Sequence, residues 1–176
     1  IEYEHLFKIK CIPFGNSVKI VEKNFEKKNN NKRIAISYIG NLHSNRWKSI
    51  LEIGNALENI NHENHTDYLI DVYSASLLDV AVLNDFNKSP AINFWGAVNV
   101  EQVRKIQEES DILVHVEAFD EKSVSSTRLS VSTKIFEYLA VQKPILAYGP
   151  SEIASMRYLQ CTGAAVCCFS KDALIN

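Results

Sequence analysis

The sequence lacks the patterns that mark several large classes of protein. No apolar run approaches the roughly 18 residues of a membrane-spanning helix, and no signal-peptide pattern is present. Neither GxGxxG nor GxxxxGKS/T occurs, so nothing indicates a nicotinamide cofactor or a P-loop. No HExxH or similar spacing indicates a metal site, and no Ser-His-Asp arrangement can be supported from spacing.

A strong positive charge and a cysteine motif are also missing. The 176 residues carry a formal charge of −2, which argues against a nucleic-acid partner held by overall charge. Cys11, Cys161, Cys167 and Cys168 show no CxxC spacing, and the adjacent pair would point to opposite faces of a strand. We therefore expect reduced thiols in a cytoplasmic protein, either free or at the inner surface of the membrane.

The chain does contain an alternation of predicted strands and helices from Arg33 onward. Apolar residues make up 46% of the sequence, enough for a substantial core. The predicted strands cover 34–39, 68–73, 91–95, 111–116, 144–148 and 164–169. The predicted helices run from 44 or 45 to 59, over 76–83, after Asn99, after Ser132 and over 151–159. Asn99, with Gln102 three residues later, has the form of a capping box.

Two polar stretches interrupt this alternation. Residues 117–132 are rich in polar side chains and belong to a predicted loop, of which we expect 117–130 to be mobile without a ligand. Residues 22–33 are charged and rich in Asn, with little that could be buried. We therefore treat 1–32 as a leading segment and linker, and 33–176 as a single domain.

The predicted fold class is α/β, a doubly wound, Rossmann-like parallel sheet of about six strands. The strands are continuous apolar runs, as expected of strands buried on both faces. If the strand order is 3-2-1-4-5-6, it reverses between strands one and four. Ligands of such sheets bind beyond the carboxyl ends of the strands at the reversal, so we expect a site formed by residues 40–46 and 115–134.

The helix that follows this second loop carries groups suited to a nucleotide. Ser132 and Thr133 open it, and a helix N-terminus offers free N–H groups to a phosphate. Lys134 and Glu137 lie three residues apart on one face, where the cation suits a phosphate and the carboxylate suits a ribose diol. The alternative is that they form only a surface ion pair.

The loop after strand one offers a second set of candidates. Gly40 lets the backbone approach a ligand closely, and Arg46 could fork onto a diphosphate. Arg46 could instead be a solvated helix-start residue, and Gly40 a simple turn. His43 could contact a phosphate or a sugar hydroxyl. His115 is more simply a core or strand-end histidine, and Trp95 is either a core anchor or a wall of a base pocket.

Four short segments have counterparts in one known family. They are Ile12-Pro13-Phe14-Gly15, Ile39-Gly40-Asn41-Leu42, Phe94-Trp95-Gly96-Ala97-Val98, and Lys134-Ile135-Phe136-Glu137-Tyr138-Leu139-Ala140 followed by Lys143-Pro144-Ile145. Together they resemble the C-terminal, nucleotide-sugar-binding domain of retaining group 1 glycosyltransferases of the GT-B fold. The last segment is similar to the family's Lys-x-x-Glu-Tyr-Leu-Ala-x-Gly-Lys-Pro-Val signature and is the most specific of the four.

The resemblance implies a role for each candidate. Glu137 would bind the ribose, Arg46 and Lys134 the diphosphate, and amides near Ser132 and Thr133 the phosphates. Gly40 and Asn41 would form the phosphate loop, and Trp95 to Val98 would border the base. The resemblance further implies that the nucleotide-sugar is a substrate, that no metal is required, and that no residue of this domain is certain to be catalytic. It also implies an acceptor-binding domain before residue 1, through which the whole protein would associate peripherally with a membrane. We expect the sequence to be a piece of a longer chain, since it begins without Met.

Some positions depart from the family pattern. Asn41 stands where the family has Arg, Arg46 where it has Lys, and Gln142 where it has Gly. Leu129 occupies the position of a Glu that grips the donor sugar in the family, and Glu117 is too distant in sequence to be a simple substitute. Three hypotheses follow: the donor-binding half of a glycosyltransferase, a non-catalytic scaffold domain derived from that fold, or an unrelated doubly wound domain such as a sensor.

Overall fold

A computed structural model describes residues 33–175 and places six strands in one parallel sheet. The strands are β1 Ile36–Ile39, β2 Ile70–Tyr73, β3 Ile92–Gly96, β4 Ile112–Val116, β5 Ile145–Tyr148 and β6 Val166–Cys168. Their order is β3-β2-β1-β4-β5-β6, which confirms both the doubly wound fold class and the predicted reversal between β1 and β4. The predicted linker, 1–32, and Cys11 lie outside the described residues.

Helices cover both faces of this sheet. They are α1 Arg46–Asn64, α2 Val80–Lys88, α3 Val100–Glu109, α4 Glu121–Thr127, α5 Thr133–Val141 and α6 Ala154–Thr162, followed by a short 3-10 helix at Asp172–Leu174. Ile50 of α1 and Phe86 of α2 belong to the core on one face, whereas Ile135 of α5 and Met156 of α6 belong to the core on the other. The neighbouring residues Leu113 and Val114 of β4 point into opposite cores and are both 0% exposed. This double burial explains why the strands are continuous apolar runs.

Several helix boundaries differ from the prediction. α1 and α6 extend to Asn64 and Thr162, and each ends where the next residue, His65 or Gly163, adopts the left-handed conformation. The capping box of Asn99 and Gln102 at the start of α3 is present as predicted.

α2 begins at Val80 rather than at residue 76, because the preceding serines bond to the backbone of extended segments. Ser74 Oγ accepts from the N–H of Ser76 at 3.1 Å, and Ser76 Oγ accepts from the N–H of Leu42 at 2.8 Å. Such side-chain bonds compete with helix formation.

The interpretation of 117–132 as one loop is wrong, because α4 lies within it. Asp120 caps this helix by accepting from the N–H of Ser123 at 3.1 Å. Ser123 is buried, and its Oγ donates to the backbone oxygen of Ser44 at 3.0 Å. The composition of the stretch suggested exposure, but its serines and Asp120 serve as a cap and as a bond to the β1–α1 loop.

α5 is anchored beneath the reversal point by Tyr138. The ring is 1% exposed, and its hydroxyl lies 3.3 Å from the backbone oxygen of Ile39 and 3.4 Å from that of Val114. At the other end, Gln142 closes the helix in the left-handed region with a φ of 55°. A glycine is the usual residue there, because a Cβ is strained at positive φ.

We predict that Gln142→Gly stabilises the fold by about 0.5–1 kcal/mol, since it relieves this strain at a helix end. Urea unfolding of both proteins measures the difference. Gln160→Gly is the matched control, because Gln160 lies within α6, where glycine should cost about 0.5–1 kcal/mol. A lower unfolding midpoint for Gln142→Gly would show that the left-handed turn carries no strain.

Candidate functional site

Two adjoining cavities open at the carboxyl ends of β1 and β4, where the strand order reverses. The Val98 cavity has a volume of about 350 Å³, and its lining includes Tyr73, Ser74, Val98 and Val103. The His115 cavity has a volume of about 140 Å³, and its lining includes Tyr38, Arg46, His115, Glu117 and Thr133. Ile39, Gly40, Asn41 and Lys134 line both. The structure thus brings most of the sequence-predicted site residues to one crevice.

The N-terminus of α5 opens into the His115 cavity. Ser132, Thr133 and Lys134 all line it. Ser132 makes no side-chain cap bond, and its own N–H donates to Ser155 Oγ at 2.9 Å. The N–H groups of Thr133 and Lys134 belong to the first turn, which has no intrahelical acceptor for them. The cavity therefore has backbone donors and the positive end of a helix dipole on one side.

Arg46 is a partner of Glu117 rather than a solvated cation. Its Nε and Nη2 donate to Glu117 Oε2 at 3.1 and 2.7 Å, and its Nη1 donates to Asn41 Oδ1 at 3.1 Å. The Arg46 side chain is 18% exposed, and that of Glu117 is 3% exposed. Of the two interpretations of Arg46, the solvated one is wrong. Contact of Arg46 with a ligand phosphate stays a prediction. In the structure the guanidinium already donates to the carboxylate of Glu117.

His115 lies on the other side of Glu117. Its Nε2 lies 3.3 Å from Glu117 Oε1, within ion-pair distance. Among the described residues no other group meets this buried nitrogen. His115 is therefore a strand-end histidine, as expected, and the carboxylate of Glu117 lies between it and Arg46.

The neighbours of Glu117 decide its protonation. Burial acts to raise the pKa of Glu117, but the His115 imidazole and the Arg46 guanidinium outweigh it, so the pKa is lowered from its ordinary value of 4.5. By contrast, burial raises the pKa of both Tyr38 and Tyr138. The carboxylate is therefore charged and both phenols are neutral at physiological pH.

Two glycines leave the space that this arrangement needs. A Cβ at Gly149 would lie 2.8 Å from Glu117 Cβ and 3.3 Å from its backbone nitrogen. A Cβ at Gly40 would lie 2.7 Å from the Tyr38 hydroxyl, which donates to the backbone oxygen of Asn41. Gly40 therefore serves close packing within the protein, which is more than a simple turn.

The β1–α1 loop is fixed to α4. Ser44 and Asn45 both adopt positive φ, of 53° and 59°. Asn45 does not cap α1; its Nδ2 donates instead to Asp120 Oδ2 at 3.0 Å, a bond that helps lower the pKa of Asp120. Because α4 holds this loop, Gly40 and Asn41 keep their places at the crevice.

Glu137 and Lys134 do not pair with each other in the structure. Glu137 is exposed and accepts from Gln107 Nε2 at 3.1 Å, whereas Lys134 lines both cavities. Gln107 is 4% exposed and so holds the carboxylate in one place beside the crevice. The hydrogen-bond partner of Glu137 is thus on α3, which disfavours the alternative of a surface pair with Lys134.

The remaining candidates divide between the crevice and the surface. Val98 and His43 line the Val98 cavity. Trp95 lines neither cavity; it is 61% exposed, and its indole N–H donates to Asp71 Oδ1 at 2.8 Å. The interpretation of Trp95 as a core anchor is wrong, because β3 lies at the edge of the sheet and this side chain faces outward.

Sequence reasoning missed three residues that shape the site: His115, Glu117 and Gln107. Their common signal is a polar side chain at or near the end of an apolar strand, or on the buried side of a helix. His115 and Glu117 alternate along the chain and so share a face as β4 ends. Glu117 is 71 residues from Arg46 in sequence, so only the sheet order brings the two together.

Other classes of site find no support in the described residues. Residues 33–175 contain no group of three or more potential ligands that could hold a metal ion. No helix in that range is long and apolar enough to cross a membrane. Cys161, Cys167 and Cys168 are all free, as expected of reduced thiols.

The architecture is that of a Rossmann-like half of a GT-B fold. A similar solved structure is the crystal structure of WaaG, a glycosyltransferase involved in lipopolysaccharide biosynthesis, with a TM-score of 0.57 and 14% sequence identity. The match covers 82% of this chain and 36% of that one, so the chain spans about a third of the length of WaaG. At this identity the likeness shows the fold. No protein-family model and no curated protein sequence matches the chain.

We predict that Arg46→Ala destabilises the fold by about 3–5 kcal/mol, because it leaves a buried carboxylate without its counter-ion. The double variant Arg46→Ala/Glu117→Gln should lose less than Arg46→Ala alone, since the buried charge is gone. Urea unfolding of the set measures this coupling. Arg104→Ala is the control; its pair with Glu108 is exposed and should be worth at most about 1 kcal/mol. Equal losses in the single and double variants would contradict the ion pair.

We also predict a pH dependence that belongs to Glu117. Its folded pKa is lower than its unfolded value, so its contribution to stability is present above about pH 4.5 and is lost as the pH falls through the folded pKa. Glu117→Gln cannot show this loss. The free energy of unfolding of the wild type, measured relative to Glu117→Gln, should therefore decrease on acidification from about pH 6 to about pH 3. A difference that stays constant with pH would contradict the lowered pKa.

Proposed function

We propose that this chain is the donor-binding half of a glycosyltransferase and binds a nucleotide-sugar in the crevice between β1 and β4. The observation that carries the proposal is the convergence of the α5 N-terminus, Lys134 and the Gly40–Asn41 loop at the reversal point of a GT-B-like sheet. Helix N-termini with a nearby cation are suited to phosphates, and reversal points are where ligands of such sheets bind.

The two cavities suit different parts of a nucleotide-sugar. The His115 cavity has the N–H groups of Thr133 and Lys134 and the Lys134 ammonium, which suit the diphosphate. The Val98 cavity has apolar groups from Val98 and Val103, which suit the nucleoside. The carboxylate of Glu137, held by Gln107, would accept from the ribose hydroxyls at the rim.

In this proposal the domain contributes binding and charge stabilisation. Cleavage of the sugar–phosphate bond leaves a nucleoside diphosphate, and donors already aimed at its phosphates lower the barrier. Neither a metal nor a nucleophile from this domain is required. A second domain would bind the acceptor and close the crevice against water, as orientation and exclusion of water need two walls.

A second candidate function is a non-catalytic domain that binds the nucleotide or a glycan-assembly complex. The ion pair of Arg46 with Glu117 favours it, because this cation is partly neutralised. Leu129 in place of the sugar-gripping Glu points the same way. Binding of a nucleoside diphosphate fits both candidates. Turnover of a nucleotide-sugar by a protein that includes an acceptor-binding domain fits only the first.

We predict that the chain binds a nucleoside diphosphate and that Glu137→Gln weakens binding by about 1.5–3 kcal/mol, the range for hydrogen bonds to a charged group. Lys134→Ala should also weaken binding, with a loss that shrinks as salt rises, because a cation at the cavity mouth is screened. Calorimetry with UDP, ADP and GDP at low and high salt measures both effects.

The matched controls for this experiment are Glu63→Gln and Lys88→Ala, two exposed residues far from the crevice. Both should bind like the wild type. Unchanged affinity in Glu137→Gln and Lys134→Ala would remove the nucleotide function of α5. Sugar transfer by these 176 residues alone would instead contradict the need for a second domain.

A further inference from the structure

A glutamine on α3 occupies a position where an apolar side chain is expected. Val103, Ile106 and Gln107 follow the i, i+3, i+4 spacing of a core-facing helix stripe. Val103 and Ile106 pack against the core on the α5 face of the sheet, and Gln107 is 4% exposed. A buried amide costs free energy unless it is hydrogen-bonded, so a glutamine at this position indicates a role other than packing.

The partner of this buried amide is an exposed carboxylate. Gln107 Nε2 donates to Glu137 Oε2 at 3.1 Å, and the Glu137 side chain is open to solvent. Water could satisfy this carboxylate equally well, so the fold itself gains little from the bond. Glu137 Oε1 has no hydrogen-bond partner within residues 33–175. The bond therefore fixes one oxygen of Glu137 and leaves the other for a donor from outside the protein.

The bonded pair lies next to the crevice because α3 and α5 both begin there. Val103 lines the Val98 cavity, and Gln107 follows it on the next turn of α3. Lys134 lines both cavities, and Glu137 follows it on the next turn of α5. In a helix each Cα–Cβ bond tilts toward the N-terminus, so both side chains incline toward the crevice. The carboxylate is thus held between the two helices, one turn from residues that line the Val98 cavity.

A carboxylate held in this way suits two neighbouring hydroxyls. Each carboxylate oxygen has two lone pairs, so Oε1 and Oε2 of Glu137 can each accept from a ligand while Oε2 keeps its bond to Gln107. A ribose offers its 2′ and 3′ hydroxyls side by side, whereas a 2′-deoxyribose offers one. An exposed glutamate that is not held must lose rotamer freedom when it binds, and a bond already made in the free protein removes much of that cost.

We propose that Gln107 is a positioning residue that makes the crevice selective for ribonucleotides over 2′-deoxyribonucleotides. It holds Glu137 so that the two carboxylate oxygens accept from the 2′ and 3′ hydroxyls together. The inference rests on the proposed function, because it requires a nucleoside diphosphate in the crevice. It adds to that function the class of sugar in the nucleoside and the residue that sets this selectivity.

Calorimetry with UDP, ADP and GDP and with their 2′-deoxy forms tests the proposal, and the ratio of the two dissociation constants measures the selectivity. We expect the wild type to bind the ribose form about tenfold more tightly, since the extra hydroxyl donates to a charged group. In Gln107→Leu the ribose form should bind about threefold to tenfold more weakly, because Glu137 must be ordered on binding. The 2′-deoxy form gains less from Glu137 and loses less, so the ratio should fall to about threefold or below.

Further variants separate positioning from packing. Gln107→Asn keeps the amide but is one methylene too short to reach Glu137, so it should lose selectivity as Gln107→Leu does. In a Glu137→Gln background Gln107→Leu should have no further effect, because the residue through which it acts is already changed. A merely structural role would weaken both nucleotide forms alike and would add to the effect of Glu137→Gln. Gln160→Leu is the matched control; Gln160 is exposed on α6, and the ratio should stay at the wild-type value.

The outcomes separate this inference from the proposed function. Binding of a nucleoside diphosphate with the same selectivity in the wild type, Gln107→Leu and Gln107→Asn would overturn the inference and leave the proposed function standing. Equal affinity of the wild type for the two forms would do the same. Absence of binding of all six nucleotides by the wild type would overturn both. Selectivity that falls in both Gln107 variants, with no further effect in the Glu137→Gln background, would establish the positioning role.

Discussion

The reversal of strand order between β1 and β4 is the constraint on which the rest of this structure depends. Parallel strands must be joined by crossovers that pass over a face of the sheet, and here the crossovers on the two sides of the reversal lie on opposite faces. The loops that leave β1 and β4 therefore diverge and open a crevice between them. Tyr138 lies beneath this opening and keeps α5 in contact with both strands. The helix N-terminus is thereby held where the crevice begins.

Electrostatics within the crevice set its chemistry. Helix N–H groups and Lys134 attract an anion, but the ion pair of Arg46 and Glu117 also brings a buried negative charge to the same wall. Such a pair costs desolvation energy and is tolerated when each member is well bonded, as both are here. Asn41 and Ser49 contribute to this bonding, the first through the guanidinium and the second through the backbone oxygen of Glu117. The guanidinium of Arg46 is therefore held in one place at the wall of the crevice.

The local sequence predicted most helices and strands correctly, but it did not predict which side chains contact one another. The six strands, the capping box of Asn99 and the helix after Ser132 follow from apolar runs and from capping chemistry, which act over a few residues. The prediction of a single loop over 117–132 was wrong because serine is typical both of exposed loops and of helix ends. Here Asp120 caps a helix by accepting from the N–H of Ser123. The prediction that Trp95 is a core residue was wrong because burial of an aromatic ring depends on the position of its strand in the sheet, and β3 is an edge strand.

The sequence by itself determined the fold class, the order of the elements and the segment that begins with Ser132, because periodicity, caps and turns are properties of neighbouring residues. Only the tertiary structure decided that Arg46 meets Glu117, that Gln107 holds Glu137 and that His115 lies against the same carboxylate as Arg46. These contacts join residues separated by 71 and 30 positions in the chain. They arise from the register of strands and the packing of helices, and they decide which of the charged side chains are paired.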